Sequence, residues 1–163
     1  MISLDPASAA ERPVLENLFQ LYAYDWSELG WMEVGRDGRF ADPSLDAYWR
    51  DEDRHPFLIR VDGRLAGFAL VAARSRLTGA AGVFDMAEFF VMRKYRRRGV
   101  GLAAASAAFE RFTGRWEIRQ RDENAEATAF WRQVVARYTD GSYREIRCDD
   151  ATWVGPVQTF SSG

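Results

Sequence analysis

The chain is poor in the residues that build metal centres and cross-links: one cysteine and one histidine stand among 163 residues. A lone Cys148 cannot close an intramolecular disulfide, and no Cys/His cluster has ligand spacing, so no metal is expected. No run approaches the roughly 18 apolar residues of a membrane-spanning helix. The start, Met1-Ile2-Ser3-Leu4-Asp5, lacks both the basic and the apolar segment of a signal peptide, so a cytoplasmic protein with no membrane partner is expected. An excess of one charge is missing too, since 22 Lys and Arg face 24 Asp and Glu. That balance argues against a nucleic-acid partner, which calls for a broadly basic surface. Internal repeats, low-complexity tracts and linkers are absent. Residues 1–163 are therefore expected to form a single domain, long enough to bury about 70% of its unfolded surface.

Secondary-structure signals are plentiful. Met1–Leu4 suits a short edge strand, and Pro6-Ala7-Ser8 supplies capping chemistry for a helix with Val14, Leu15, Leu18, Phe19, Leu21 and Tyr22 on one side. Residues 25–43 read as irregular, followed by a short helix carrying Leu45, Tyr48 and Trp49 and capped by Asp42 or Ser44. Asp62-Gly63 between the apolar runs 57–61 and 65–71 is a hairpin signal. Phe84–Met92 reads as a strand and Leu102–Phe112 as an alanine-rich helix. Trp116–Gln120 alternates as a strand with one solvated side would. In the helix Ala125–Ala136, Ala129, Phe130, Val134 and Val135 are the expected inward positions. Tyr143–Cys148 and Thr152–Phe160 close the chain as strands. The central β–α–β–α run predicts parallel pairing there with antiparallel hairpins on either side, an α/β architecture built on one mixed sheet.

The most informative segment runs from Phe89 to Ala104. An apolar strand enters the cationic turn Arg93-Lys94-Tyr95-Arg96-Arg97-Arg98, then Gly99 and Gly101, then small helix formers. Glycines let the main chain approach closely, and a helix start favours negative charge, so a phosphate-bearing ligand is expected across residues 91–104. Gly99-x-Gly101-x-x-Ala104 also matches the dinucleotide fingerprint, with Asp122 near the distance required of the ribose acid. Six residues separate the strand from Gly99, however, which is too long for that turn, and a hairpin precedes the strand. No GxxxxGK[ST] pattern exists, which excludes a P-loop.

Arg96-Arg97-Arg98-Gly99-Val100-Gly101 resembles the (Arg/Gln)-x-x-Gly-x-(Gly/Ala) signature of the GCN5-related N-acetyltransferases (GNAT). Val91, five residues before Arg96, stands where that family has a strand-end valine. Asn124, with Ala127 and Trp131 after it, resembles the second motif, and the likeness spans roughly residues 57–136. It implies a GNAT-like fold: a central mixed sheet of six to seven strands flanked by about four helices, with the fourth and fifth strands splayed apart.

The resemblance implies acetyl-CoA as co-substrate. Its pyrophosphate would sit on the backbone N–H groups of Arg98, Gly99, Val100, Gly101 and Leu102, with Arg96, Arg97 and Ala103 adjoining. The pantetheine amides would pair with the main-chain edge of Phe90, Val91 and Met92, and Asn124, Phe130 and Trp131 would border that arm. Acyl transfer to an amine needs a neutral nucleophile, an oxyanion donor and an outlet for the thiolate. Glu88, in an otherwise apolar strand, is the candidate base, with Asp85 second and the backbone at Val91 as oxyanion donor. Many relatives carry a tyrosine acid where this chain has Trp131, and an indole does not transfer a proton at physiological pH. Tyr95 and Tyr138 are available in the sequence as substitutes, and His55 is a further, weaker candidate base.

On the acceptor side, aromatic residues between Phe19 and Trp49 interleave with acids, which suits a cationic, partly apolar amine. Tyr24, Asp25 and Trp31 are the candidate substrate contacts. The expected function is acetyl transfer to a primary amine of a small molecule. Transfer to a protein or peptide amine, and a non-catalytic acyl-CoA-binding domain, stand as alternatives, and monomer and homodimer are both open.

Overall fold

The computed structural model describes residues 1–41 and 45–163, so the expected caps Asp42 and Ser44 lie outside the described residues. Strands β1 (Ile2–Pro6), β2 (Arg54–Val61), β3 (Arg64–Arg74), β4 (Ala81–Val91), β5 (Gly114–Arg119), β6 (Arg144–Asp149) and β7 (Val154–Ser162) form one sheet in the order β1-β2-β3-β4-β5-β7-β6. Only β4 and β5 are parallel, joined through a helix as a parallel crossover requires. The helices are α1 (Arg12–Ser27), the single-turn α2 (Ala47–Arg50), α3 (Val100–Arg111) and α4 (Ala125–Tyr138). This is the mixed sheet with four helices that the sequence predicts.

Alternation along the strands divides the core between two faces. Leu58, Phe68, Leu70 and Phe90 meet Leu15, Leu18, Phe19 and Ala23 of α1. On the opposite face Phe57, Ala69, Val71, Met86, Trp116 and Ile118 meet Ala105, Ala108 and Phe109 of α3 and Trp131, Val134 and Val135 of α4. Each buried Phe or Leu here contributes about 1.5–3 kcal/mol by leaving water. Ser8 and Glu11 form a capping box before α1, and Pro13 occupies its first turn, as the capping chemistry of that segment predicts.

Three expectations are corrected. Leu21 and Ala129 are exposed, because each falls just outside the stripe its helix buries. The polar side of β5 is not solvated: Glu117 is 3% exposed and accepts a hydrogen bond from Ser75 Oγ at 2.7 Å. Arg119 on the same side donates to both oxygens of Asp85 at 2.9 and 2.8 Å. Its alternation reports two buried faces, one apolar and one paired.

A β-bulge in β4 positions the site. Leu70 pairs with Glu88 but the next residue, Val71, pairs with Met86, leaving Ala87 extra. Residues 85 and 88 would otherwise face opposite ways; the bulge turns both acids to the α1 face.

Among the described residues, no helix is long and apolar enough to cross a membrane.

Candidate active site

The turn before α3 is a row of free donors. Gly99 caps the helix in the left-handed conformation, φ +77°, and Arg97 before it also has positive φ, +59°. The first closed helical bond runs from Ala103 N–H to Gly99 O, 3.0 Å. The N–H groups of residues 97–102 therefore have no backbone acceptor among the described residues, while that of Ala103 is already bonded. A Cβ on Gly99 would meet nothing within 4 Å, but one on Gly101 would lie 2.9 Å from the Phe130 ring. A side chain at Gly101 would thus have to push the Phe130 ring aside, and glycine at 99 suits its positive backbone angle. Arg97 and Arg98 are exposed, with no ion pair among the described residues. Asp122, the alternative ribose acid, is instead bound by Arg147 at 2.6 Å. The late glycines are explained by a 3-10 turn at Arg93–Tyr95, inserted between strand and helix.

Upstream, β4 and β5 part company. They pair only at Val83–Arg115, Phe84–Trp116 and Asp85–Glu117, although β4 continues to Val91. Met92 N–H donates to Ala66 O at 2.8 Å, and Met92 O accepts from Tyr95 N–H. With Gly67 opposite Val91, ladder alternation then points the N–H of Phe89 and Val91 into the gap left by β5. Of the expected edge Phe90–Met92, only Val91 therefore offers its N–H there, because Phe90 faces β3 and Met92 is engaged. The Val91 carbonyl accepts from Arg96 Nε at 2.7 Å. Arg96 also ion-pairs with Asp25, which binds Arg93 at 3.0 Å as well. Asp25 consequently ties α1 to the cationic turn and is not open toward an amine.

Glu88 lies half-buried on the α1 face, accepting a hydrogen bond from Tyr22 Oη. Burial pushes its carboxyl above the ordinary 4.5, the Tyr22 bond and Arg119 pull it back, and Asp85 raises it. The Tyr22 phenol is pushed well above 10 by burial and by Glu88, and burial raises Tyr48 to about 12. Asp85 differs from Glu88 in having both oxygens bonded by Arg119. That leaves Glu88 as the acid with an oxygen to offer.

Contacts run from Glu88 around the mouth of this face. Tyr22 packs edge-on to Trp26 at 5.8 Å, and Trp26 stacks on Trp31 at 5.3 Å. The Arg121 guanidinium lies 4.6 Å over Trp31 and 4.7 Å over Trp153, and Arg119 lies 4.4 Å over Trp153. Arg119 returns the chain of contacts to Asp85. Arg119, Arg121 and Trp153 were not among the sequence candidates, and Tyr22 was included only as one of the acceptor-side aromatics. The signal for Tyr22 was its place on the Phe19–Tyr22–Trp26 stripe, since a buried phenol needs a hydrogen-bond partner. Nothing local announces the others.

The remaining candidates fall elsewhere. Trp131 is 7% exposed and packs on Phe89 and Phe130 in the core. Asn124 Oδ1 caps α4 by accepting from Ala127 N–H at 3.0 Å. Tyr24 is 64% exposed, away from the aromatic chain. His55 packs on Phe112, Tyr138 on Phe109, and Tyr95 in the cluster with Val100, so none of the three joins Glu88. Among the described residues, no group of three or more His, Cys, Asp or Glu is placed to hold a metal ion.

Comparison with solved structures gives the same fold repeatedly. An acetyltransferase from Thermus thermophilus superposes with a TM-score of 0.71 at 16% identity, covering 99% of this chain and 97% of that one. A spermidine N-acetyltransferase from Vibrio cholerae, in complex with CoA and spermine, gives 0.65 at 10% identity over 99% and 95%. A ribosomal-protein alanine N-acetyltransferase from Escherichia coli gives 0.62 at 12% identity over 99% and 94%. No curated protein matches at a significant level. The family model described as the acetyltransferase (GNAT) family matches residues 16–134, so the chain belongs to the GNAT family and is an acetyltransferase.

Proposed function

We propose that the chain, acting as one domain, transfers the acetyl group of acetyl-CoA to a primary amine of a small molecule, with Glu88 as general base. The observation that carries this reading is the contrast between two acids on one face: Asp85 is fully bonded, whereas Glu88 accepts from Tyr22 through Oε2. The donor row fits a pyrophosphate, because it offers N–H groups without backbone acceptors, a glycine with open space and two exposed arginines. Asp25 supports this fit indirectly by holding Arg93 and Arg96 against the end of α1.

Acetyl-CoA supplies the activated acyl group and a thiolate leaving group whose thiol has a pKa of about 8.5. Glu88, raised above its ordinary range by burial, removes a proton from the acceptor ammonium and frees the nitrogen lone pair to attack. Val91 N–H, aimed into the gap, is the donor for the developing oxyanion. As the carbon–sulfur bond breaks, the electron pair leaves on sulfur; Glu88, having passed the first proton to water, takes the second from the nitrogen now bonded to carbon. No tyrosine acid is needed for so stable a thiolate, consistent with Trp131 lying in the core. The aromatic wall from Tyr22 to Trp31 favours a small acceptor over a protein chain.

The test is release of CoA thiol from acetyl-CoA with a panel of small primary amines, beside a calorimetric measurement of acetyl-CoA binding. Turnover with small amines that Glu88→Gln abolishes is the expected result. Binding without turnover on any amine would leave the acyl-CoA-binding reading, and turnover on peptide amines alone would leave the peptide one.

A further inference from the structure

We infer that the acceptor carries an oxyanion besides its amine, and that the Arg121 guanidinium, held between Trp31 and Trp153, binds it. This rests on the reading of the Glu88 side as the acceptor side.

Arg119 and Arg121 lie on the same side of one strand line, yet they are treated differently. Arg119 gives both ends of its guanidinium to Asp85 and is nearly buried. Arg121 is exposed, and no hydrogen bond or ion pair engages its guanidinium among the described residues. Asp122 next to it is bound by Arg147 instead. What Arg121 has is a sandwich, its Cζ 4.6 Å from one indole and 4.7 Å from the other. Ring contacts of this kind engage the faces of the guanidinium rather than its N–H groups, which stay free for a ligand. Those donors form a planar fork that matches a carboxylate or a phosphoryl group.

The sandwich is also pre-positioned. Trp153 Nε1–H donates to Gln120 O at 3.1 Å. A Cβ on Gly155 would come within 2.1 Å of that same oxygen, so the segment after Trp153 is pressed onto the end of β5. From Trp31, Trp26 and Tyr22 lead directly to Glu88. An acceptor spanning this wall meets the base with its nitrogen at one end and a cation at the other.

Asp25, Asp46, Asp51 and Asp53 are each bound to an arginine, so these four of the interleaved acids are not free to meet an amine. An amine bearing a carboxylate or phosphonate at its far end fits the free Arg121 guanidinium.

The experiment compares wild type and Arg121→Gln on a panel of ω-amino acids of increasing length, their carboxamides and their aminophosphonate analogues. Wild type is expected to favour the anionic amines over the carboxamides by about tenfold or more in kcat/KM, chiefly through KM. The preferred anion then tells carboxylate from phosphoryl recognition. Arg121→Gln should erase the preference by raising KM on the anionic amines to the carboxamide level. Equal loss on both classes would make Arg121 a structural strut and overturn the inference, as would a wild-type preference for carboxamides. Either of those results, with transfer retained, leaves the acetyltransferase reading standing. No transfer to any amine, with acetyl-CoA still bound, overturns both.

Discussion

On the proposed reading, the two sides of the β4–β5 gap recognise their ligands by opposite means. On the donor side, consecutive residues 97–102 present main-chain N–H groups, and side chains matter chiefly by their absence at Gly99 and Gly101. On the acceptor side everything is side chain, drawn from α1, the segment after it, β4, the end of β5 and the β6–β7 connection. Backbone recognition needs only local conformation, so it compresses into a short motif. Side-chain recognition depends on how distant segments meet, which lets one fold keep its acyl donor while changing acceptors.

If the two sides are separable, variants should break one and spare the other. The largest effect is expected from Glu88→Gln, which removes the proposed base: kcat should fall about 10²–10⁴-fold with acetyl-CoA affinity unchanged by calorimetry. A parallel loss of acetyl-CoA binding would show that the sides are coupled through β4. Next comes Arg119→Met, which strands Asp85 at 3% side-chain exposure. Breaking a buried pair from one end costs about 3–5 kcal/mol, measurable by urea unfolding. Preserved stability would mean that water or another donor reaches Asp85 once the arginine is gone.

On the donor side, Gly101→Val should weaken acetyl-CoA binding about tenfold, because the new side chain must displace the Phe130 ring from the helix start. Transfer at saturating acetyl-CoA should change little. A variant that binds normally but turns over slowly would place Phe130 nearer the acyl group than the donor row.

How much was legible follows the same division. The hairpin at Asp62-Gly63, the glycine turn and the strand–helix alternation were readable because each is a local conformational demand. Glu88 was readable because an acid interrupts an apolar strand. That Glu88 and Asp85 share a face was not, since the bulge at Ala87 alters parity without altering composition. The polar side of β5 looked solvated because alternation is blind to pairing, and Arg119–Asp85 spans 34 positions. Asp25 looked like a counter-charge for an amine for the same reason: its partners Arg93 and Arg96 lie some seventy residues away. The Arg121 sandwich joins residues 31, 121 and 153, and no window of sequence contains all three.

The finest test concerns Tyr22, which the acceptor side shares with the base. Its hydroxyl donates to Glu88 and stabilises the carboxylate, opposing the upward push of burial. A base works only when deprotonated, so kcat/KM should rise with pH through a limb lying above 4.5, the carboxyl's ordinary value. In Tyr22→Phe the stabilising bond is gone while burial remains, so that limb should move to still higher pH. On the plateau, where Glu88 is ionised in both proteins, the rate should differ by no more than a few-fold. A limb that moves to lower pH would mean that water floods the site once the phenol is removed and relieves the burial that sets the carboxyl high. A limb that persists in Glu88→Gln would assign it to another group, and the base would then have to be sought on the acceptor itself.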